Sequence, residues 1–426
     1  MKLNVGKTLL LGFGFFGVSI LWAIHDSYVP VFLGKDFALD ASMVGTILTV
    51  NTILVFLIQP GIGSLSDRTR TRFGRRMPFI ILFAPLAAIG FAILPMLVQP
   101  SLLWLFIVVL VLTIIMLAMF RTPVIALMPD ITPSPFRSQA NGLINLMGGI
   151  GAIIAFAGGA ALFKMNPAYP FWAAAVLLVI AVGIVFWQIR EPKDSTTQAV
   201  EARPGLIASL GKIFSSGDKS ALLLLLAIFA WFVGYNAVSK FFTLYGVMAL
   251  QIDAASAASM LTFLALTFVI FAVPSGYLAG KIGRRITIMA GIIILGVILI
   301  IIRWLPTPQL MLSLFSIFGF KFLMAHLLLA FAGTGWALIN VNSLAMVVDI
   351  APQTELATYT GLYYFASTSA AVLGPFVAGW LIVAMGKDYS VIFLIAPIAL
   401  AFAFVFMLGV RRGEHADPTP GTASTK

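Results

Sequence analysis

The chain has 426 residues, of which 61% are hydrophobic and only 10% are charged, and its formal net charge is +11. A soluble domain has about 25% charged residues, so this composition excludes a water-soluble fold and indicates an all-α membrane protein. The absence of cysteine excludes structural disulfides and thiolate metal sites. We therefore predict no metal and no cofactor.

Apolar runs of the length that crosses a bilayer, about 20 residues, recur twelve times along the chain. The first run follows Lys2 and Lys7 in the manner of a signal peptide, but it continues to Leu33 and no cleavage site precedes a polar domain. We interpret it as the first spanning helix. The predicted helices cover residues 8–33, 43–65, 78–98, 101–128, 138–163, 169–189, 221–248, 255–279, 286–304, 323–349, 358–384 and 390–410.

The polar segments between these runs divide the chain. We predict an N-terminal six-helix bundle over 1–189, a cytoplasmic linker over 190–220, a C-terminal six-helix bundle over 221–411 and a cytoplasmic tail over 412–426. The apolar stretch 306–322 is too short to span beside its neighbours, and we interpret it as an interfacial or re-entrant piece.

Basic residues are distributed unevenly between the two sets of loops. With the N-terminus inside, the outer segments hold only Lys35, Lys164, Arg303, Lys321 and Lys387, and all other loop cations lie inside. This bias predicts that both termini are cytoplasmic. It also explains the positive net charge through contact with membrane lipids, without a nucleic-acid partner.

The two predicted bundles repeat one another. Gly74-Arg75-Arg76 recurs 209 residues later as Gly283-Arg284-Arg285, and Trp22 and Trp231 have the same offset. Asp130 and Asp349 are 219 residues apart, as are Gly142-Leu143 and Gly361-Leu362. Four matches in register predict a duplicated six-helix unit, with a substrate site near the midplane between the halves.

The loop after helix 2 carries a family resemblance. Residues 59–80, with Gln59-Pro, Ser-Asp67-Arg and Phe-Gly74-Arg-Arg-x-Pro-Phe, resemble the helix 2–3 motif of major facilitator transporters. Within that superfamily the segment is similar to the sucrose/proton symporters and their bacterial relatives in the glycoside–pentoside–hexuronide:cation symporter group. The resemblance implies two pseudo-symmetric six-helix bundles, a sugar as substrate and transport by alternating access.

The resemblance also bears on the coupling ion. The sodium-using branch of the group has two aspartates in helix 2 just before this loop, and the matching positions here are Val55 and Gln59. We therefore expect a proton as the coupling ion. Sucrose carriers have an acidic residue late in helix 4, to which Asp130 corresponds approximately.

A charged cluster is predicted at the cytoplasmic ends of the helices. Asp67 can meet Arg75, Arg76 or a helix N-terminus, and Asp130 and Asp349 can pair with loop arginines such as Arg137 or Arg285. Such a cluster would lock one arrangement of the inner side; the alternative is an anchor that follows the positive-inside rule alone. The gate residues that we predict are Asp67, Arg68, Arg75, Arg76, Asp130, Arg137, Arg284, Arg285 and Asp349.

Ionisable residues within a span are costly and are candidates for function. Asp26 in helix 1 and Lys240 in helix 7 lie at matching depths, and these helices are counterparts in the repeat. We predict an ion pair that closes an outer gate, with Asp26 taking a proton when the pair separates. In the alternative, Lys240 extends to the outer headgroups and Asp26 caps a kink before Pro30.

Further candidates line the predicted cavity. Arg121 in helix 4 has no acid at its depth on helix 1, so it holds Gln59 or Asn145, or binds substrate oxygens. Polar and aromatic side chains can hydrogen-bond or stack on a sugar, although each is also explained by helix packing. The complete set of cavity candidates is His25, Asp26, Asn51, Arg121, Asn145, Lys240, Trp336, Asn340, Asn342 and Tyr364.

Three functions fit these features. The first is a monomeric proton-coupled symporter of a sugar or glycoside in the bacterial inner membrane. The second is an exporter of sugars or amphipathic compounds with the same fold. The third is a transport-inactive membrane sensor, which the lack of a long soluble domain disfavours. No phosphate-binding loop or recognisable nucleophile motif is present, so we predict that the chain is not an enzyme.

Overall fold

The structure is a computed structural model that describes residues 4–132, 136–191, 219–317, 320–352 and 355–413. Within these ranges twelve helices are long and apolar enough to cross a membrane, which confirms the predicted number. They are α1 (Val5–Val31, continued by a π-helical turn to Asp36), α2 (Ala41–Arg68), α3 (Met77–Ile93), α4 (Leu103–Ile131), α5 (Arg137–Met165), α6 (Tyr169–Gln188), α7 (Ser220–Met248), α8 (Ala254–Ile282), α9 (Arg284–Trp304), α10 (Met324–Ile350), α11 (Leu356–Ala384) and α12 (Ile392–Gly409).

The helices form two pseudo-symmetric bundles of six, as predicted. In the first half α1 packs on α5 and α6, and α3 packs on α4 and α6. In the second half α7 packs on α11 and α12, and α10 packs on α8 and α9. These pairings follow the repeat: α7 is the counterpart of α1, and in each half the first helix packs on the fifth and sixth helices. Most of the predicted linker and the tail from residue 414 lie outside the described residues.

The two ends of the molecule differ in charge. We call the end with Arg75, Arg76, Arg284 and Arg285 the basic end, and the opposite end, where α1 ends and α2 begins, the far end.

The halves are joined by helix crossings that lie mainly towards the far end. A Cβ atom on Gly45 of α2 would meet the backbone of Pro375 and Gly379 in α11, and one on Gly379 would meet the carbonyl oxygen of Ala41. The Thr49 hydroxyl donates to the carbonyl oxygen of Val372 across the same crossing, at 3.0 Å. Small residues permit this backbone approach between helices in a membrane. The crossing therefore seals the far end.

Charged groups reinforce the far end at its rim. The ammonium of Lys387 lies 2.8 Å from the carboxylate of Asp40 across the two halves. Asp253 caps α8 by accepting from the Ser256 amide. Burial acts to raise the pKa of Asp253, but the Ser256 hydrogen bonds and the charge of Lys164 outweigh it and hold the pKa below the usual value. Lys164 lies in the last turn of α5, so this attraction also joins the halves.

The packing between the halves loosens towards the basic end. Gly142 of α5 and Gly361 of α11, which are equivalent in the repeat, have open space where a Cβ atom would lie. Nearby on the same two helices, Asn145 and Tyr364 are exposed. The structure is thus closed at the far end and open at the basic end.

Among the described residues, β-strands interrupt the expected all-α architecture in the stretch predicted as an interfacial or re-entrant piece, 306–322. It forms a helical turn, Thr307–Leu310, and then a two-stranded antiparallel hairpin of β1 (Ser313–Ile317) and β2 (Phe320–Leu323). Sequence periodicity could not separate a short apolar strand pair from a re-entrant helix. The hairpin accounts for the change of repeat offset from 209 to 219 residues, because that change falls between Arg285 and Asp349.

The glycine crossing makes a testable prediction. Gly45→Leu should weaken the closed far end by about 1–3 kcal/mol, because the added side chain overlaps the α11 backbone. Spin labels on Lys35→Cys and Lys387→Cys, which lie on opposite halves of the far end, should then report a longer distance in pulsed electron paramagnetic resonance. Gly61→Leu is the matched control, since a Cβ atom there meets open space. An unchanged distance in the Gly45 variant would contradict the assigned role of the crossing.

Candidate functional site

An ion pair between Asp26 and Lys240 lies between the two halves. Asp26 is 21 residues after the start of α1 and Lys240 is 20 residues after the start of α7, so both lie about 30 Å from the basic end. The Lys240 ammonium donates to Oδ1 of Asp26. The side chain of Lys240 is 10% exposed and that of Asp26 is 25% exposed. The predicted ion pair is therefore present, and it lies towards the far end of the molecule.

His25 and Trp22 complete the surroundings of this pair on α1. His25 Nδ1 lies 2.8 Å from Oδ1 of Asp26, so His25 and Lys240 share one carboxylate oxygen. The other ring nitrogen of His25 is buried and has no hydrogen-bond partner within the described part of the chain. The Lys240 ammonium also lies 5.1 Å from the Trp22 ring centroid, where the ring face attracts a cation.

Aromatic side chains approach the pair from the second half. Tyr235 stacks on Trp336 with ring centroids 4.0 Å apart, and Phe232 meets the same tryptophan edge to face. Trp336 is only 5% exposed, so its ring is a support for Tyr235 and not the predicted sugar contact. Sequence reasoning missed Tyr235. Its position offered a signal, because it lies 209 residues after Asp26 and is the repeat counterpart of that residue.

The asparagine candidates fall into different environments. Asn342 is buried and donates to the Ser275 hydroxyl and to the Leu338 carbonyl oxygen, both at 2.9 Å. It thus joins α8 to α10 inside the second half, and its predicted place in the cavity is wrong. Asn340 is partly exposed on the same helix. Asn51 is buried, and both atoms of its side-chain amide have no partner among the residues that the structure describes.

Arg121 and Tyr364 come from opposite halves and lie nearer the basic end. Arg121 of α4 is partly buried and lies within electrostatic reach of Tyr364 of α11. Within the described ranges its guanidinium has no ion-pair partner. Asn145, the repeat counterpart of Tyr364, is exposed on α5, and its amide donates to the Asn141 carbonyl oxygen. The predicted hold of Arg121 on Gln59 or Asn145 is not found.

The basic end of the first half holds a buried charge network. Arg75 donates to Asp130 at 2.6 Å, and Arg76 donates to the same carboxylate at 3.1 Å. Arg76 also pairs with Asp67 and donates to the Ser66 hydroxyl. Two arginines of the loop therefore hold the ends of α2 and α4 together.

Glu191 is a further member that sequence reasoning missed. It follows α6, and its carboxylate accepts from the backbone amides of Arg75, Arg76 and Met77 at 2.7–2.9 Å. These amides lie at the start of α3, where a helix has unpaired donors and attracts an anion. Gly74 has a φ of 112°, and a side chain there would collide with this carboxylate. The only available signal was an acidic residue directly after helix 6.

The second half has its own arginine contacts. Arg284 pairs with Asp349 and donates to the Ala345 carbonyl oxygen, so it joins α9 to α10. Arg285 donates to the carbonyl oxygens of Met407 and Leu408 at the end of α12.

These contacts correct the predicted gate. Asp67 pairs with Arg76, as predicted. Asp130 binds Arg75 and Arg76, and Asp349 binds Arg284 in place of the predicted Arg285. The predicted contact with Arg137 lies outside the described residues. Arg68 is exposed and is no part of the network. Each of these ion pairs stays within one half. They hold each half together, and none of them is the expected lock between the halves.

Comparison with known proteins agrees with the fold. A family model described as the Major Facilitator Superfamily matches residues 11–329 and 321–426. Two solved structures share the architecture at low sequence identity. The nucleoside transporter NupG has a TM-score of 0.68 at 15% identity, covering 96% of this chain and 99% of that one. An auto-inhibited peptide transporter of the POT family has a TM-score of 0.69 at 17% identity, covering 98% and 99%.

Curated relatives match over shorter stretches. The isoprimeverose transporter of Lactiplantibacillus pentosus is 21% identical over 293 residues, which are 66% of this chain and 60% of that protein. The proton-associated sugar transporter A of Homo sapiens is 39% identical over 80 residues, 18% of this chain and 10% of that protein. The membrane-associated transporter protein of Mus musculus is 34% identical over 93 residues, 22% and 17%. The chain thus spans less than two thirds of the length of each relative.

The Asp26–Lys240 pair can be tested by a double-mutant cycle. Asp26→Asn and Lys240→Gln should each lower the thermal stability of the purified protein, because each leaves a partly buried charge without its partner. The double variant should recover part of the loss, with a coupling energy of about 0.5–3 kcal/mol. The exposed pair Asp40–Lys387 is the control, and its coupling should be about 0–1 kcal/mol. Additive losses at Asp26 and Lys240 would show that the two charges do not stabilise each other.

Proposed function

The chain belongs to the Major Facilitator Superfamily, and we propose that it transports a sugar or glycoside together with a proton, by alternating access of one site between its two halves. The coarse function, a transporter with twelve membrane-spanning helices and sugar-symporter relatives, follows from the family match and the helices. The proposal adds the substrate class, the coupling ion and the residues that couple them.

The relatives support the choice of substrate and ion. One is named for isoprimeverose, and another for a sugar and a proton. The polar and aromatic groups between the halves suit a polyhydroxyl compound, since Arg121 has free donors and Tyr235 and Tyr364 combine a ring with a hydroxyl. We assign Arg121, Asn145 and Tyr364 to the sugar hydroxyls on the side that is open in this structure.

The observation that carries the proposal is the Asp26–Lys240 ion pair. It is a bond between the halves, its carboxylate side chain is 25% exposed, and a proton can neutralise that carboxylate. In a site of low dielectric the attraction between the two charges is strong while both are charged. A proton on Asp26 removes its charge, so that the pair no longer holds α1 against α7.

The coupling of proton and sugar transport follows from the difference between the charged and the protonated state of Asp26. With Asp26 charged, the pair favours the closed far end that this structure has. With Asp26 protonated, the far end loses one of its bonds, and the glycine crossing and the rim pair must open as well for the site to face that side. A substrate that enters the cavity and contacts both halves shifts the balance towards closure of the basic end. Proton and sugar thus bias the same two-state rearrangement.

We further propose that the basic end faces the cytoplasm of a bacterial inner membrane, in line with the positive-inside rule. Each monomer carries one complete site between its own halves, and no reaction is assigned to it. Transport in the opposite direction, as an exporter, uses the same residues and differs only in the gradient that drives it.

Uptake into proteoliposomes tests the coupling. With an inward proton gradient, we expect the parent protein to accumulate sucrose or maltose. Asp26→Asn should abolish accumulation, because the amide cannot take the proton, while exchange of sugar across the membrane without a gradient should persist. Asp40→Asn, at the exposed far-end pair, is the matched control and should retain accumulation.

Each other outcome changes the proposal in a defined way. Accumulation that survives Asp26→Asn would keep the symporter and reject Asp26 as the coupling group. Sugar that leaves the vesicle against its gradient would favour the exporter. Neither uptake nor exchange across a panel of neutral and acidic sugars would reject the sugar assignment.

The role of Arg121 can be separated from coupling. Arg121→Lys keeps the charge but loses the planar fork that contacts two oxygens at once, so the KM for sugar exchange should rise about tenfold, the equivalent of ~1.4 kcal/mol. Arg68→Lys, on an exposed arginine of the same half, should leave the KM unchanged. A KM that does not respond to Arg121→Lys would place the sugar elsewhere in the cavity.

A further inference from the structure

The hairpin of β1 and β2 has two chemically different faces. In its register Phe315 pairs with Phe322 and Ile317 with Phe320, while Ser316 pairs with Lys321. Paired residues of an antiparallel ladder project to the same side, and successive residues project to opposite sides. One face is therefore formed by Phe315, Ile317, Phe320 and Phe322, and Ser316 and Lys321 lie on the other.

The apolar face is fixed to the flank of the second half. Phe263 of α8 meets Phe320 and Phe322 with ring centroids 6.1 and 5.1 Å apart, and it stacks on His326 of α10 at 4.5 Å. Phe315 stacks on Phe322 within the hairpin. These contacts cover only part of the apolar face of the hairpin, since the side chains of Phe315, Ile317 and Phe320 remain about half exposed, at 48–54%.

The contacts of Phe263 with Phe320 and Phe322 determine the depth of the hairpin in the membrane. Phe263 is nine residues from the start of α8, about 13 Å along the helix axis. The 29 residues of α8 extend over about 43 Å, which exceeds the ~30 Å of bilayer hydrocarbon, so both ends of α8 reach into the headgroup regions. Divided equally between the two ends, the excess of about 13 Å puts Phe263 about 7 Å inside the boundary between acyl chains and headgroups, so the hairpin that contacts Phe263 lies close to that boundary.

Hydrogen bonding restricts the surroundings in the same way. A two-stranded hairpin leaves the outer edge of each strand without a backbone partner, and such groups are not tolerated against hydrocarbon alone. A fully aqueous position would instead expose three large apolar side chains. Only the interface offers polar partners to the strand edges and the Ser316–Lys321 face, and acyl chains to the other face.

The neighbouring residues continue this surface. Trp304, at the end of α9, is 71% exposed, and Arg303 lies over its ring. Tryptophan is enriched at this level of a membrane. Lys321 is exposed, and no ion pair joins it to the part of the chain that the structure describes. Its ammonium is available to a lipid phosphate.

We propose that the hairpin is a lipid-binding element, which inserts Phe315, Ile317 and Phe320 among the acyl chains at the far end and presents Lys321 to lipid phosphates. The repeat counterpart in the first half, between α3 and α4, has only short 3₁₀ turns. The element therefore belongs to the second half alone and is independent of the sugar and proton sites.

Two adjacent residues of the hairpin give a matched test. Because the chain has no cysteine, Ser316→Cys and Ile317→Cys can each carry a single spin label in proteoliposomes of phosphatidylethanolamine and phosphatidylglycerol. Collision with oxygen, which enriches in acyl chains, should dominate at residue 317, and collision with a water-soluble nickel chelate should dominate at residue 316. Ser101→Cys, in the counterpart loop, should resemble residue 316.

Three results would overturn the proposal. Equal access of nickel to residues 316 and 317 would place the hairpin in water. Access of oxygen alone to both would place it within the hydrocarbon. Shielding of both labels, together with dipolar coupling between two protein molecules, would show that a second copy of the chain covers the apolar face.

Discussion

Two opposite charges held between two half-molecules constrain the rest of this structure. Asp26 and Lys240 lie in the apolar interior, where neither is stable without the other or an equivalent partner, so α1 and α7 are drawn together at that level. The glycine crossing of α2 and α11 allows this approach, because its backbones meet with no side chain between them. The closed far end thus combines one ion pair, which a proton can neutralise, with the glycine crossing of α2 and α11, which contains no ionisable group.

The basic end is built on the opposite plan. Among the described residues, Arg75, Arg76 and Arg284 pair with carboxylates of their own half, and Glu191 caps the start of α3. These contacts make each half a stiff unit, so a rearrangement of the halves does not have to break them. The far end thus has an ion pair between the halves that a proton can neutralise, whereas the ion pairs described at the basic end each lie within one half.

Much of this organisation could be predicted from the sequence. Hydropathy located all twelve helices, and equal depth along two repeat-related helices located the Asp26–Lys240 pair. Asp67 pairs with Arg76, one of its predicted partners. The partners of Asp130 and Asp349 could not be predicted, because several arginines near them are equivalent in sequence. Glu191 escaped because its partners are backbone amides, which carry no residue signature. The hairpin escaped because its alternation is only five residues long, and Asn342 was misplaced because depth does not determine which side of a helix faces the cavity.

The backbone contact of Gly45 and Gly379 has a consequence for how such a molecule can diversify. The crossing depends on the absence of side chains at a few positions, whereas the residues assigned to the sugar lie at other positions of α4, α5 and α11. Substitutions at Asn145, Arg121 or Tyr364 can accumulate without altering the geometry of the crossing. Related proteins can therefore change their transported substrate while they keep the same helix crossing between the halves.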